Sequence, residues 1–455
     1  MILDASGQKS RNKHPLRSSL FYSMLEGSGA CVMLALVDTF AVPALLTLGA
    51  EEMATAALPA AAFFLTAFAN WAAPEWSART VSRKRFVSYS VLGQALACIG
   101  IGLIGYLPSA YAIPAAIAAY ALYAFAGSVG AGPWVSWMSD LVPQTGRGRF
   151  FARRSVILGS IQGVTALVAG LLLSFWKSAG VNAPWTAFAT IFFLAGMGRF
   201  VSFGFLTRQF EPPMKSRPPA KDFTFRQFLK KTGESNFANF ALALALLNGG
   251  TMFAGPLFNV WFLRDLKLTY FEYTLIPTTA LASMLIFVRF WGRLADRFGN
   301  LLVIRLCAPG VVLTPLLYLG PTNMAYMCFN QIIGGAVWAG LNLAAFNYVL
   351  EAATPARRAR CFSYMTATVG AVCALFLLAG GRLAPHLPTL FEYRLQTVFL
   401  CSAVLRLFPA LVLMFGIKQL SEKPKAAAMD LFYELPAVRP TAGVLRHLAR
   451  PFRRI

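Results

Sequence analysis

The chain is predicted to be an all-α membrane protein, with twelve transmembrane helices arranged as two pseudo-symmetric six-helix bundles. Its composition, the number of its long apolar segments and an internal duplication predict that fold. Hydrophobic residues fill 57% of the 455 positions and charged residues 13%, against roughly 45–50% and about 25% in an ordinary soluble domain. Such a balance excludes folding as a water-soluble globule. Twelve apolar stretches run approximately over residues 20–47, 53–73, 86–107, 112–138, 155–176, 184–207, 237–262, 272–291, 301–319, 325–349, 361–380 and 396–416. Most reach the roughly 20 residues a helix needs to cross the hydrocarbon core. A helix is the natural element for each, because it satisfies every backbone amide within its own segment.

The duplication is visible as anchors that recur in order. Asp140 precedes Arg147 by seven residues, Glu351 precedes Arg358 by the same seven, and the two sites lie 211 residues apart. That register also aligns Arg149 with Arg360 and Phe151 with Phe362. Earlier in each half, Asp38-Thr39-Phe40-Ala41-Val42-Pro43 aligns with Thr251-Met252-Phe253-Ala254-Gly255-Pro256 at an offset of 213, and Arg199 matches Arg406 near each half's end. Repeated membrane halves are the signature of secondary transporters, whose substrate site lies between the repeats.

The chain accordingly divides into an N-terminal tail (1–19), a first six-helix bundle (20–207), a basic linker (208–236), a second six-helix bundle (237–416) and a basic C-terminal tail (417–455). With both termini cytoplasmic, tails and loops on that side hold 32 of the 41 Lys and Arg, the opposite side holds 5, and 4 sit inside spans. The positive-inside rule favours this orientation, and a bacterial inner membrane is the expected location. Membrane topology also accounts for the +23 net charge. Nucleic-acid binding is not expected, because the basic residues are divided among loops rather than gathered in a groove with stacking aromatics.

In the linker, Phe223, Phe225, Phe228 and Leu229 alternate with Arg226, Lys230 and Lys231, the pattern of an interfacial helix. The basic tail is expected to lie near anionic headgroups. The first apolar stretch is too long for a signal peptide and contains Glu26 and Asp38, so it is read as a retained helix. Seven cysteines fall in or at the edges of spans without CxxC spacing, which predicts packing rather than disulfides or metal binding. No cofactor is expected, and a monomer is.

Between the eighth and ninth stretches, Gly292-Arg293-Leu294-Ala295-Asp296-Arg297-Phe298-Gly299-Asn300 resembles the G-x-L-a-D-r-x-G-r loop of the major facilitator superfamily. The pairs Asp140–Arg147 and Glu351–Arg358 are similar to the inner-end charge pairs of its sugar porters. The resemblance covers about residues 18–418. It implies alternating access, with Asp140, Arg147, Gly292, Asp296, Arg297, Gly299, Glu351 and Arg358 forming a cytoplasmic gate. Each exposed pair is worth only about 0–1 kcal/mol, but several together bias a conformational equilibrium. The first-half loop, Pro74-Glu75-Trp76-Ser77-Ala78-Arg79, departs from the pattern: Ala78 stands where the second half has Asp296, and Glu75 is the alternative carboxylate.

Ionisable groups inside spans are costly and mark function. Asp38, near the middle of a helix that lines the cavity in this superfamily, is the candidate proton-coupling residue, with Glu26 as a second. Twelve residues separate them, about 18 Å along the axis and about 120° around it, so they do not form one paired site. Loss of water around a carboxylate penalises its charge, which suits reversible proton binding. Arg199 and Arg406 belong to helices that are peripheral in the superfamily, and a structural role within their own half is expected. Substrate contacts are assigned to two polar stripes: Asn248, Thr251 and Asn259 on the seventh helix, and Gln331, Trp338 and Asn342 on the tenth. Amides donate and accept, and an indole adds a flat apolar wall.

The expected function is therefore alternating-access transport of a small organic solute, with proton symport of a sugar-like or nucleoside-like compound. Proton-driven efflux of amphipathic drugs or metabolites is the alternative, because Asp38 facing an aromatic pocket would suit a lipophilic cation. A non-transporting membrane sensor with a transporter fold is the alternative of another class. No enzyme is expected, since no phosphate-binding loop, nucleophile elbow or metal-ligand cluster is present.

Overall fold

Twelve helices long and apolar enough to cross a membrane make up the computed structural model, which describes residues 13–79, 82–142, 147–178, 184–212, 235–352 and 358–419. They are α1 (Lys13–Thr47), α2 (Glu52–Arg79), α3 (Arg83–Leu103), α4 (Ser109–Leu141), α5 (Arg147–Ser178), α6 (Pro184–Leu206), α7 (Asn236–Val260), α8 (Tyr270–Phe298), α9 (Asn300–Leu313), α10 (Met324–Ala352), α11 (Arg358–Leu383) and α12 (Arg394–Leu411). Each coincides with one apolar stretch of the sequence. The chain is an integral, multi-pass membrane protein. With twelve crossings, the two ends of the helical region lie on one face, here the terminal face; the α1–α2 turn lies on the other, the distal face. The linker helix expected over 223–231 and the tail beyond 419 lie outside the described residues.

In the first half α1 packs on α5 and α6, α3 on α4 and α6, and α2 on α4. In the second, α7 packs on α11 and α12, α8 on α10, and α9 on α10 and α12. The halves meet along two seams, α2 against α11 and α5 against α8. One apolar core lies in each half, around Phe40, Phe188 and Phe192 in the first and Phe240, Val303 and Tyr348 in the second. A third cluster, built from Trp261, Tyr318 and Phe399, covers the distal end of the second half.

Local sequence explains how several of these helices begin, bend and stop. α8 opens on a capping box: Thr269 Oγ1 accepts the Glu272 amide at 3.2 Å, and Glu272 Oε2 accepts the Thr269 amide at 2.9 Å. It ends at Gly299, whose φ of +94° turns the chain directly into α9. A side chain rarely adopts that φ, which is a backbone reason for the glycine in the loop motif. Pro43 lies inside α1 and has no N–H to offer the carbonyl four residues earlier, that of Thr39. Pro315 does the same to the Val311 carbonyl, and the helical path of α9 breaks there into a 3₁₀ turn at Leu316–Leu319.

Small residues set the spacing of α7 and α11. A Cβ on Gly380 would overlap the Phe253 carbonyl oxygen, a rigid backbone atom. Gly380→Ala is therefore expected to push α11 off α7 and destabilise the protein by about 1–3 kcal/mol, the usual cost of overpacking. Thermal unfolding of the purified protein in detergent checks this: the midpoint should fall, whereas Gly100→Ala, where a Cβ meets nothing, should leave it unchanged.

Candidate functional site

Asp38 is a carboxylate that the first half presents to open space. It projects from α1 into a cavity of ≈ 450 Å³ lined by α1, α2, α3, α4 and α6. α4 supplies two phenols to its carboxylate, Tyr123 at 3.2 Å and Tyr120 at 3.5 Å. Phe63 and Thr66 come from α2, Gln94 from α3, Ser128 from α4 and Arg199 from α6. From α1 the cavity takes Ala30, Met33, Leu34 and Asp38, so it extends from Asp38 toward the terminal face. Asp38 thus stands at its distal end. Among the described residues Asp38 makes no salt bridge, and its hydrogen bonds come from hydroxyls alone.

Glu26 has the opposite surroundings. It is 4% exposed and lies 3.4 Å from Arg154 of α5 and 3.5 Å from Arg199 of α6. Arg199 also donates to Gln94 Oε1 at 2.7 and 3.1 Å and to Ser202 Oγ at 3.0 Å. Arg154 additionally covers the Trp134 ring, 4.8 Å from its centroid. These groups tie α1, α3, α4, α5 and α6 together inside the membrane. A carboxylate held between two guanidinium groups braces these helices, and Glu26 itself does not line the Asp38 cavity. Gln94 and Arg199 belong to both brace and cavity.

Arg406, the counterpart of Arg199, is 3% exposed and meets no carboxylate among the described residues. It donates instead to the Val311 carbonyl at 2.8 Å, to Thr314 Oγ1 at 3.2 Å and to Ser402 Oγ at 2.8 Å. The Val311 carbonyl is the one that Pro315 leaves without a backbone donor, and it also accepts from Thr314 Oγ1 at 2.9 Å. The guanidinium therefore closes the broken end of α9, where the helix dipole is negative. Both arginines bond within their own half.

The expected gate residues divide differently. Asp140 pairs with Arg83 of α3 at 2.6 Å, and Arg83 lies 3.8 Å from Glu211. Glu211 also accepts the Arg83 backbone amide at 2.7 Å and so caps α3. Glu351 accepts from Asn300 Nδ2 at 2.7 Å. Asp296 is exposed, and Arg297 lies over the Phe298 ring at 4.8 Å. Gly299 is the turn between α8 and α9, while a Cβ on Gly292 would make only ordinary contact with Leu343. The side chains of Arg147, Arg358 and Glu75 lie outside the described residues. Asp140 and Glu351 thus both bond to residues of their own half that the seven-residue spacing does not point to.

None of the six stripe residues lines the Asp38 cavity. Asn248 Nδ2 and Thr251 Oγ1 turn back onto the Leu244 and Leu247 carbonyls of α7, at 2.8 and 3.0 Å. Asn259 and Gln331 are half-buried, Trp338 packs beside the second-half core, and Asn342 is exposed. The seventh-helix stripe falls on the partly exposed side of an otherwise buried helix.

Cross-half closure at the distal face was missed by sequence reasoning. Glu52, at the start of α2, binds Arg264 at 2.8 Å and Arg394 at 2.7 Å, both from the second half. The Phe271 amide donates to Ser174 Oγ at 3.0 Å, and Tyr273 Oη donates to the Thr39 carbonyl at 2.9 Å. Sparse charge on that face was the available signal: an acid opening the second stretch and basic residues flanking the seventh and twelfth.

Two helix bundles, with a carboxylate that faces a cavity inside the first, make up the described chain. Residues 240–452 match the model of the Major Facilitator Superfamily. Among solved structures, a mutant form of the nucleoside transporter NupG is similar at 16% identity with TM-score 0.68, covering 88% of this chain and 100% of that one. A bacterial homolog to the human lysosomal transporter Spinster, in an inward-facing and unoccupied conformation, shares 15% identity over 89% and 97% of the two chains at TM-score 0.65. A D-xylose–proton symporter shares 12% over 90% and 99%, also at 0.65. No curated protein matches the sequence significantly. The family match spans 213 of the 455 residues, and the fold of the described chain is similar to that of these solved transporters.

Removing Glu26 would leave two guanidinium groups facing each other without a counter-charge. Glu26→Ala is expected to cost about 3–5 kcal/mol, as for other broken buried pairs, and Glu26→Gln less, because an amide oxygen still accepts. Thermal unfolding of both variants in detergent tests the ranking.

Proposed function

We propose that the protein is a secondary active transporter that moves a small organic solute by alternating access, driven by proton symport through Asp38. One observation carries the reading: Asp38 faces a cavity and is held by two hydroxyls, without a cation. Glu26 is tied to two guanidinium groups, whereas a carboxylate held only by hydroxyls has no fixed counter-charge and can take up and release a proton as water and solute enter and leave. The mixed lining suits a compound with several hydroxyls and a flat ring, sugar-like or nucleoside-like: Gln94, Thr66 and Ser128 exchange hydrogen bonds, and Phe63, Tyr120 and Tyr123 offer ring faces. The similar solved proteins include a nucleoside transporter and a D-xylose–proton symporter, which agrees with that class. Asn248, Thr251, Asn259, Gln331, Trp338 and Asn342 are the proposed second-half wall, Glu26 is assigned to bracing, and the charged terminal-face residues from Asp140 to Arg358 are proposed as the gate.

The terminal face is assigned to the cytoplasm from the Lys and Arg distribution, with a bacterial inner membrane as the location, anionic headgroups as the lipid partners and a monomer as the working unit. A second reading, proton-driven efflux of amphipathic compounds, is favoured by the aromatic rings beside Asp38, which would hold a lipophilic cation.

Uptake into proteoliposomes across a panel of sugars, nucleosides and lipophilic cations, with and without an imposed pH gradient, decides between them. Gradient-driven accumulation of one class is expected, and Asp38→Asn should abolish it while leaving downhill exchange. Accumulation untouched by the substitution would remove Asp38 from coupling; gradient-driven extrusion of cations would establish the efflux reading.

A further inference from the structure

The Thr39 carbonyl occupies an unusual position. Pro43 deprives it of its helical donor, it lies in the apolar span of α1, and it belongs to the residue next to Asp38. A carbonyl with no donor in hydrocarbon is costly, so it needs a partner from elsewhere in the fold. Its partner is Tyr273 Oη at 2.9 Å, from α8 of the other half.

Tyr273 is held ready for that contact. It is 4% exposed, and it follows directly on the residues that start α8, where the Thr269–Glu272 capping box fixes the first turn. The Phe271 amide is anchored to Ser174 of α5, again across the halves. The cavity runs from Asp38 toward the terminal face, so Tyr273 meets α1 just beyond its distal end.

We propose that Tyr273, bonded to the carbonyl that Pro43 leaves free, is the latch that shuts the distal face immediately beyond Asp38, and that the bond must break each time the transporter opens to that face. Tyr273 is a positioning residue, because it acts through α1 and does not touch the carboxylate. When the halves part, both the phenol and the carbonyl must find water or solute instead, so opening is favoured only when the distal path is wet or occupied. The ionisable groups facing this region are Tyr120 and Tyr123 from α4, Arg199 from α6 and Tyr273 itself; α2 contributes Phe63 and Thr66, and α3 contributes Gln94. Glu52 with Arg264 and Arg394 forms the outer part of the same closure.

The proposal rests on alternating access between the two halves and is tested by amide hydrogen exchange of the full chain in lipid nanodiscs, which requires no transport. Tyr273→Phe keeps the ring and removes only the hydroxyl. Distal segments 45–52 and 264–272 should exchange about two- to tenfold faster, the range that one hydrogen bond's net contribution gives. Terminal-face segments 82–86 and 298–302 should slow, because opening one face closes the other. Pro43→Ala supplies an N–H to the Thr39 carbonyl from within α1 and should loosen the same contact by a separate route. Combining the two should then add little beyond either alone, as for residues acting through one contact. Unchanged exchange in Tyr273→Phe, faster exchange at both faces, or full additivity with Pro43→Ala would each overturn the latch. Loss of proton-driven uptake in Asp38→Asn is scored separately, so failure of the coupling reading is distinguishable from failure of the latch.

Discussion

Within a hydrocarbon layer no water stands by to complete a hydrogen bond, so every polar group in a span must be satisfied by the protein itself. Most backbone groups here meet that requirement inside their own helices. The exceptions are created by proline, and two of them organise the molecule. Pro315 frees the Val311 carbonyl, and Arg406 closes it within the second half. Pro43 frees the Thr39 carbonyl, and its donor comes from the opposite half. One chemical defect thus yields a contact within one bundle in one place and a contact between the two bundles in another. Whether the donor and acceptor belong to the same bundle makes the difference.

Charge follows the same logic, and the duplicated halves have met it in separate ways. Arg199 and Arg406 occupy equivalent places, but Arg199 leans on Glu26 together with Arg154, whereas at the repeat offsets the second half has Asn239 for Glu26 and Met365 for Arg154. Without a carboxylate, Arg406 turns to a helix end. The first half therefore holds a braced charge cluster beside its cavity, and the second half holds none among the described residues. That asymmetry fits a division in which the first half carries the ionisable site and the second half carries parts that close against it.

Polar contact between the halves is concentrated where it can be undone. Glu52 is buried, but its partners Arg264 and Arg394 are each more than a third exposed, so water can replace them at modest cost. At the seams of α2 with α11 and α5 with α8, glycines bring the helices close: Gly370 faces Ala67, and Gly159 faces Leu285. Strong, water-excluded pairs such as Glu26–Arg199 lie inside one bundle, where nothing needs to separate.

Membrane class and twelve spans were determined by the sequence alone, because hydrophobic length is a property of the chain and survives any packing. Asp38 and Glu26 were legible too, since an acid in an apolar stretch is conspicuous wherever its helix sits. Their different surroundings were not. Whether a carboxylate meets two arginines or two phenols depends on which faces of α4, α5 and α6 are turned toward α1, and helical periodicity is silent about neighbours. The stripe on α7 was read as one face of one helix, and its amide and hydroxyl bond back to their own backbone. The distal closure was hidden for the same reason. Glu52, Arg264 and Arg394 are separated by hundreds of residues, and only the docking of α2, α7 and α12 decides that they share one place.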